Sequence, residues 1–346
     1  MERDITRRNL LLSLPAAALA SRARAQASKP SVPVTGLSHM TLSVSDPKRS
    51  LQFYQGLFGM PIQAHQGPTT ILRIGPGPQF VALSAVGPNG KPGINHWCVF
   101  TPNFNVEGAL ATLAGHGITK SETNGAMKVR VRMRGPENGG AKEGTPEMYV
   151  GDPDGLVIQI QDTRYCGGAG VLGSICLARP EPAPSKGLLA MEDLSHVTLS
   201  VTDAQRSLDF YQSVFAMRIE AHQGPSPLLA VGPKGSFLAI AGGGGGRAGV
   251  APPAASINHI SFRMRNFNPE RVTQALVSYG LKPREPDARG PAGPLSTYIT
   301  LRMPNRGGAP DGTPELYFTD PDGILLQIQD MSYCGGAGKM GNICAP

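Results

Sequence analysis

Leu37-Ser38-His39-Met40-Thr41-Leu42-Ser43-Val44 returns 157 residues later as Leu194-Ser195-His196-Val197-Thr198-Leu199-Ser200-Val201. That recurrence decides the fold, because self-similarity at a fixed period marks a repeated structural unit. Working outward, Ala64-His65-Gln66-Gly67-Pro68 returns at the same offset as Ala221-His222-Gln223-Gly224-Pro225. Ile94-Asn95-His96 returns as Ile257-Asn258-His259 at an offset of 163, and residues 144–176 return as 312–344 at 168. The growing offset means short loop insertions in the second copy, notably 242–255 and 284–295, which should enlarge its rim. The Pro-rich stretch Arg179-Pro180-Glu181-Pro182-Ala183-Pro184 reads as a semi-rigid seam. The expected division is a domain over 36–178, a linker over 179–192 and a second domain over 193–346.

Each copy repeats one grammar. The opening strand alternates, with Met40, Leu42 and Val44 on one face and His39, Thr41 and Ser43 on the other. Asp46-Pro47 supplies a cap and a first-turn proline for a helix through Phe58, with Leu51, Tyr54 and Phe58 as its apolar stripe. Short strands follow near 71–74 and 80–84, and a second strand-and-helix pair opens at His96 and ends near Gly115. The copy closes on a hairpin over 148–159 whose turn is Asp152-Pro153-Asp154-Gly155. The chain is therefore expected to be α+β, with four βαβββ modules forming two curled mixed sheets.

The formal net charge is +7, but Arg3, Arg7, Arg8, Arg22 and Arg24 against Glu2 and Asp4 supply three of those charges. The remaining +4 is thinly spread, with no basic run and no aromatic stacking cluster, which argues against a nucleic-acid partner. Thr6-Arg7-Arg8-Asn9-Leu10-Leu11-Leu12, an apolar run through Ala20 and the small-residue site Ala25-Gln26-Ala27 read as a twin-arginine export signal over 1–27. An amphipathic first helix is the alternative. The apolar run falls short of the ~20 residues that span a bilayer, so no membrane partner is expected after the signal is removed. The expected address is the periplasm or the exterior. Five cysteines suit it: Cys166 with Cys176 and Cys334 with Cys344 each enclose nine residues and read as local disulfides, with thiolate metal binding as the alternative. Cys98, in an apolar stretch, reads as a buried free thiol.

On a half-buried strand every second side chain shares a face, so Val157, Gln159 and Gln161 leave the helix-packed side. Curling the sheet brings His39, His96 and Gln159 into one concave pocket, and His196, His259 and Gln327 into another. This layout resembles the vicinal-oxygen-chelate (VOC) superfamily, which includes glyoxalase I, bleomycin-resistance proteins and type I extradiol dioxygenases. The four-module length, over roughly 36–330, is most similar to the dioxygenases. The resemblance implies a metal held by a His on the first strand, a His opening the next module and a Glu after the Asp-Pro-x-Gly turn. His196 and His259 match the two His, and Gln327 stands where the Glu would be; His39, His96 and Gln159 match likewise. Tyr317 and Tyr149 match a Tyr before the turn. The family's His a few residues before that Tyr is absent. A neutral amide lowers affinity for hard divalent ions. His65 with His222 and Glu147 with Glu315 are further candidates for a fourth ligand or an acid/base group.

Each candidate also has a plain structural reading. A strand His is commonly a satisfied structural residue, Gln159 and Gln327 can be ordinary hydrogen-bonding strand residues, and Tyr149 and Tyr317 can be core aromatics. His65 and His222 can be turn residues at the surface. His116 reads as a helix-end residue, and Arg130, Arg132 and Arg134 as a solvated face able to attract an acidic substrate. The leading expectation is an exported metal-dependent oxidoreductase, dioxygenase-like, acting on a small oxygenated, phenolic substrate. Iron(II) is the first choice of ion, with manganese, copper and zinc as alternatives. The rival readings are a redox-neutral lyase or isomerase of the glyoxalase kind, and a non-catalytic small-molecule binder of the bleomycin-resistance kind. A homo-oligomer is left open.

Overall fold

The alternation along the opening strand puts Met40, Leu42 and Val44 into the core at 0% exposure. That strand, β1 (Gly36–Val44), is followed by α1 (Pro47–Phe58), β2 (Ile62–Gln66), β3 (Thr69–Arg73) and β4 (Phe80–Ala85), which complete one βαβββ module. The next module is β5 (Gly93–Thr101), α2 (Val106–Gly115), a two-residue β6 (Thr119–Lys120), β7 (Lys128–Arg134), β8 (Thr145–Gly151) and β9 (Val157–Asp162). The second copy runs β10 (Asp193–Val201), α3 (Ala204–Phe215), β11 (Ile219–Gln223), β12 (Ser226–Ala230) and β13 (Phe237–Gly242). It continues with β14 (Ser256–Met264), α4 (Pro269–Ser278), β15 (Lys282–Pro283), β16 (Ser296–Arg302), β17 (Thr313–Thr319) and β18 (Leu325–Asp330). This computed structural model describes residues 29–233, 235–242, 254–285 and 290–344. The expected export signal, most of the inserted loop 242–255 and residues 286–289 lie outside the described residues.

The two copies form separate nine-stranded sheets of one order, β2-β3-β4-β1-β5-β9-β8-β7-β6 and its equivalent. Within the first, β1 pairs parallel with β4 and antiparallel with β5, and β5 pairs parallel with β9. The modules are thus joined through their opening strands, and the fold is the duplicated mixed-sheet α+β arrangement expected from the repeat. Asp46 caps α1 by accepting from the Lys48 and Arg49 amides, with Pro47 at the first turn. The buried side of that helix is Phe53, Tyr54, Leu57 and Phe58, while Leu51 of the expected stripe is only half-buried.

The copies do not keep separate cores. One continuous apolar cluster draws Met40, Trp97 and Ile158 from the first sheet together with Val197, Phe262 and Phe318 from the second. Each opening helix packs on the sheet of the other copy: Phe58 lies 5.7 Å from Phe262 between ring centroids, and Tyr211 lies 6.2 Å from Trp97. The Asp-Pro-Asp-Gly turns fasten this exchange. The Tyr211 hydroxyl donates to Asp152 Oδ2 at 3.0 Å, and Tyr54 donates to Asp320 Oδ2 at 3.3 Å. The second Asp of each turn reaches the other copy's helix start, where Asp154 accepts from the Thr202 amide and Asp322 from the Ser45 amide, both at 2.9 Å.

Cys166 is bonded to Cys176 and Cys334 to Cys344, and Cys98 is free and buried, as the spacing predicts. Such bonds belong to an oxidising compartment. His116 caps the end of α2, its Nε2 lying 2.8 Å from the Pro30 carbonyl oxygen. Among the described residues no helix is long and apolar enough to cross a membrane.

Candidate metal centre

The pairing registers line up one row across the first sheet: Phe80, His39, Cys98, Gln159, Tyr149 and Arg130. The equivalent row of the second sheet is Phe237, His196, Ser261, Gln327, Tyr317 and Tyr298. Paired residues share a face, and this face points away from the shared apolar core. The second histidine sits one row on, His96 opposite Thr41 and His259 opposite Thr198. In the first domain these residues, the buried Cys98 excepted, line a cavity of about 250 Å³ that also includes Asn95, Arg132 and Tyr165.

The imidazoles are held rigidly. His39 stacks on Phe80 with centroids 4.2 Å apart, and His196 stacks on Phe237 at 4.4 Å. Asn95 Oδ1 lies 2.8 Å from His96 Nδ1, and Asn258 Oδ1 lies 2.8 Å from His259 Nδ1. An amide oxygen only accepts, so Nδ1 of each carries the proton and Nε2 keeps its lone pair toward the pocket. His39 Nε2 lies 3.1 Å from Gln159 Oε1. In the second domain His259 Nε2 lies 3.3 Å from His196 Nε2, 3.2 Å from Gln327 Oε1 and 3.2 Å from the Thr198 hydroxyl. Burial lowers the pKa of His96 and of His259 to about 4. It takes His39 and His196 well below the usual imidazole range, helped by the neighbouring His of each pair. All four rings are neutral near pH 7, the form that ligates metals.

The donor set fits a divalent ion. Two atoms each ~2.1 Å from one ion lie ~3.0 Å apart at a right angle and ~3.4 Å apart at a tetrahedral angle, and the spacings here fall in that range. His259 Nε2 and Gln327 Oε1 present lone pairs to each other, an opposition that a cation between them relieves. In the first domain Gln159 Nε2 is buried with no partner. Among the described residues no group of three His, Cys, Asp or Glu side chains could hold a metal. The third donor is an amide oxygen in both copies, so the set carries no charge.

Several sequence expectations are corrected by the tertiary structure. Glu147 is not available as a fourth ligand: it is 1% exposed and accepts from Arg134 Nε at 2.7 Å, Arg132 Nε at 2.9 Å, Tyr149 at 3.0 Å and Tyr165 at 3.1 Å. Burial pushes its pKa up, but Arg132 and Arg134 outweigh this and hold it below the usual carboxylate value. Glu315 is likewise occupied by Arg302 Nε at 2.8 Å, Tyr333 at 3.1 Å and Tyr317 at 3.3 Å. Removing one partner of such a buried pair costs roughly 3–5 kcal/mol, so these carboxylates are anchors for the pocket floor. His65 and His222 are not brought to the pocket. Ala64 and Gln66 take the inner face of β2, leaving His65 exposed with Nε2 3.3 Å from Glu181 Oε1; His222 is exposed as well. Of Arg130, Arg132 and Arg134, expected as a solvated face, Arg132 is exposed, Arg130 is half-buried and Arg134 is buried. Arg134 is 2% exposed, and the other two line the cavity.

Tyr149 and Tyr317 stand beside the second histidines, with ring centroids 5.3 Å from His96 and His259. Burial and the adjacent Glu raise both phenols' pKa values, so they remain protonated donors. Burial likewise raises the Cys98 thiol, which stays neutral. Sequence reasoning missed Tyr165 and Tyr333, whose rings lie 5.7 and 5.6 Å from His39 and His196. It also missed the orienting pairs Ser38 with His39 and Asn95 with His96. All of these stand inside the duplicated blocks, so the repeat itself was the available signal.

Two pockets of this construction on a duplicated βαβββ frame define a two-domain protein of the vicinal-oxygen-chelate class. The sequence model of the Glyoxalase/Bleomycin resistance protein/Dioxygenase superfamily matches residues 36–160 and 193–328, and the chain belongs to that superfamily. No curated protein matches it by sequence. Among solved structures, a catechol 2,3-dioxygenase is similar at 15% identity and TM-score 0.55, covering 88% of each chain. BphC, a halotolerant catechol dioxygenase, gives 14% and 0.57, covering 89% of this chain and 88% of the other. The Mn(II)-bound glyoxalase from Novosphingobium aromaticivorans gives 15% and 0.54, covering 86% and 83%. At such identities the likeness establishes the fold.

Proposed function

We propose that the protein is an exported, metal-dependent oxidoreductase that binds a small phenolic substrate by chelation and oxidises it with O₂. The observation that carries this reading is the close approach of His196 Nε2 and Gln327 Oε1 to His259 Nε2 in the second domain, at 3.3 and 3.2 Å, with His39 Nε2 3.1 Å from Gln159 Oε1 and the His96 ring beside them in the first. His196, His259 and Gln327 would hold the ion in the second domain, and His39, His96 and Gln159 in the first. Iron(II) is the first assignment, because two imidazoles and one oxygen donor leave a face open, with manganese, copper and zinc as alternatives. When bound, the ion supplies Lewis acidity to the substrate oxygens and a route for electrons to O₂. The chain's own residues do the rest. Tyr149 and Tyr317, protonated and pinned by Glu147 and Glu315, offer a hydroxyl to a substrate oxygen, and the stacked imidazoles keep their lone pairs aimed inward. Dioxygenation places both atoms of O₂ in the product, so no further reductant is needed. Export through the twin-arginine signal agrees with the two disulfides.

Titrating iron(II) anaerobically into the metal-free protein tests the centre. Two equivalents per chain are expected, and His196→Ala should leave one. No binding at all would end the reading in favour of a metal-independent binding protein. Oxygen uptake with catechol separates the remaining alternatives: a loaded protein that consumes none points to redox-neutral chemistry of the glyoxalase kind.

A further inference from the structure

Most residues lining the first domain's cavity recur at the equivalent positions of the second copy; Thr69 becomes Ser226 and Ser84 becomes Ala241, and the changes of charge fall on one strand. In β7 the inward residues are Arg130, Arg132 and Arg134, facing Tyr149, Glu147 and Thr145 of β8. In β16 the same positions are Tyr298, Thr300 and Arg302, facing Tyr317, Glu315 and Thr313 of β17. The buried Arg134 and Arg302 have the same task, each bonded to its Glu. On these strands the difference is two guanidiniums; elsewhere the second copy adds Arg263 where the first has Phe100, buried and paired with Asp193, and Arg284 at the rim over Tyr298. Three arginines face one carboxylate in the first pocket, and one arginine faces one carboxylate at the equivalent positions of the second.

Arg132 shares Glu147 with Arg134 and keeps 45% of its side chain exposed. Arg130 has no hydrogen bond or ion pair among the described residues. Its guanidinium lies over the Tyr149 ring at 5.9 Å, half-buried in the cavity wall. In the second pocket that place over Tyr317 is taken by the Tyr298 ring at 5.2 Å, and Arg284 lies one ring further out, 5.3 Å over Tyr298. Arg130 and Gln159 lie in one row on either side of Tyr149, about two strand spacings or ~9–10 Å apart along the sheet. That separation suits one aromatic ring with its oxygens toward the histidines and a negative group at its far end.

We propose that the first domain's pocket is selective for an anionic ligand, an aromatic carboxylate, whose carboxylate is received by Arg130 and Arg132, while the second pocket takes a neutral ligand. This rests on the metal-centre reading only for the direction in which the ring lies. The charge difference stands without it. Guanidinium presents a planar fork that matches carboxylate, and its weaker hydration makes the exchange of water for ligand favourable.

The test uses the metal-free mature protein, so that it does not depend on the metal. Calorimetric titration with 4-hydroxybenzoate and with its neutral isostere 4-hydroxybenzamide should show one carboxylate bound per chain, at least tenfold tighter than the amide. Arg130→Tyr with Arg132→Thr gives the first pocket the side chains the second already carries, around a Glu still held by one Arg and two Tyr. This double variant should fold and lose the preference. Equal affinity for the two probes in the wild type, a preference that survives the double substitution, or two equal carboxylate sites per chain would each overturn the proposal. A failure of the metal centre shows separately, in the iron titration, and leaves this result as it stands.

Discussion

His259 Nε2 and Gln327 Oε1 face each other at 3.2 Å, each with a lone pair directed at the other, because His259 Nδ1 has committed its proton to Asn258. In most metal sites of two imidazoles and one oxygen, a carboxylate takes the third place and offsets part of the ion's charge. Here the charge stays uncompensated and the nearby Glu315 is bound to Arg302.

Supplying that charge should strengthen binding. Gln327→Glu is expected to tighten manganese(II) or iron(II) at the second site by tenfold or more, ~1.4 kcal/mol or above. Without metal the same substitution should destabilise the fold by roughly 1–3 kcal/mol, since a carboxylate is buried beside neutral rings. Calorimetric metal titration and denaturant unfolding of the two forms check both signs; a variant as stable as wild type without metal and no tighter with it would contradict the assignment of Gln327 as a ligand.

Asp320, the buried interdomain partner of Tyr54, makes a pH-dependent contribution through its burial, which the Tyr54 hydrogen bond only partly offsets. Burial raises the Asp320 pKa from its ordinary 3.8 to about 6. A carboxyl whose folded pKa lies above its unfolded value binds more protons when folded, so its stabilising effect is full below ~4 and is lost as pH rises through about 6. Asp320→Asn removes that titration. The stability of wild type relative to Asp320→Asn should therefore fall by up to ~3 kcal/mol between pH 4 and pH 7, read from paired urea melts. A difference that stays flat across this window would count against the raised pKa.

The disulfide loops carry carbonyls that cap the buried ion pairs. Gly168 O accepts from Arg134 Nη2 at 2.8 Å, and Gly336 O accepts from Arg302 Nη2 at 2.9 Å. Reduction should cost roughly 3 kcal/mol per loop in the chain-entropy model and lower the melting temperature by roughly 5–10 °C. Scanning calorimetry with and without reductant measures the shift, and an unchanged temperature would show that the loops contribute no such constraint.

A single core shared by both copies predicts a single unfolding transition. Trp97, the protein's one tryptophan, lies fully buried against Tyr211 of the other copy and reports on that core. Its fluorescence and the far-ultraviolet circular dichroism should change together in denaturant. Two separated transitions would mean that the copies hold independent cores.

The sequence by itself determined the duplication, the α+β module and the candidate donors. Those features are local or periodic: alternation assigns His39 and Gln159 to the pocket face, Asp-Pro-Asp-Gly closes the hairpin by backbone geometry, and identical blocks mark equivalent positions. Alternation names a face and says nothing of what meets it. Only the tertiary structure decided that Glu147 is claimed by two guanidiniums, that His65 turns outward, and that Arg130 and Arg132 form a pocket wall. It also decided that each copy's opening helix packs on the other's sheet, which makes the turn aspartates interdomain ties. Such contacts join residues distant in the chain, and they are set by burying apolar area and by pairing every buried charge, conditions that the folded whole satisfies and no local stretch encodes.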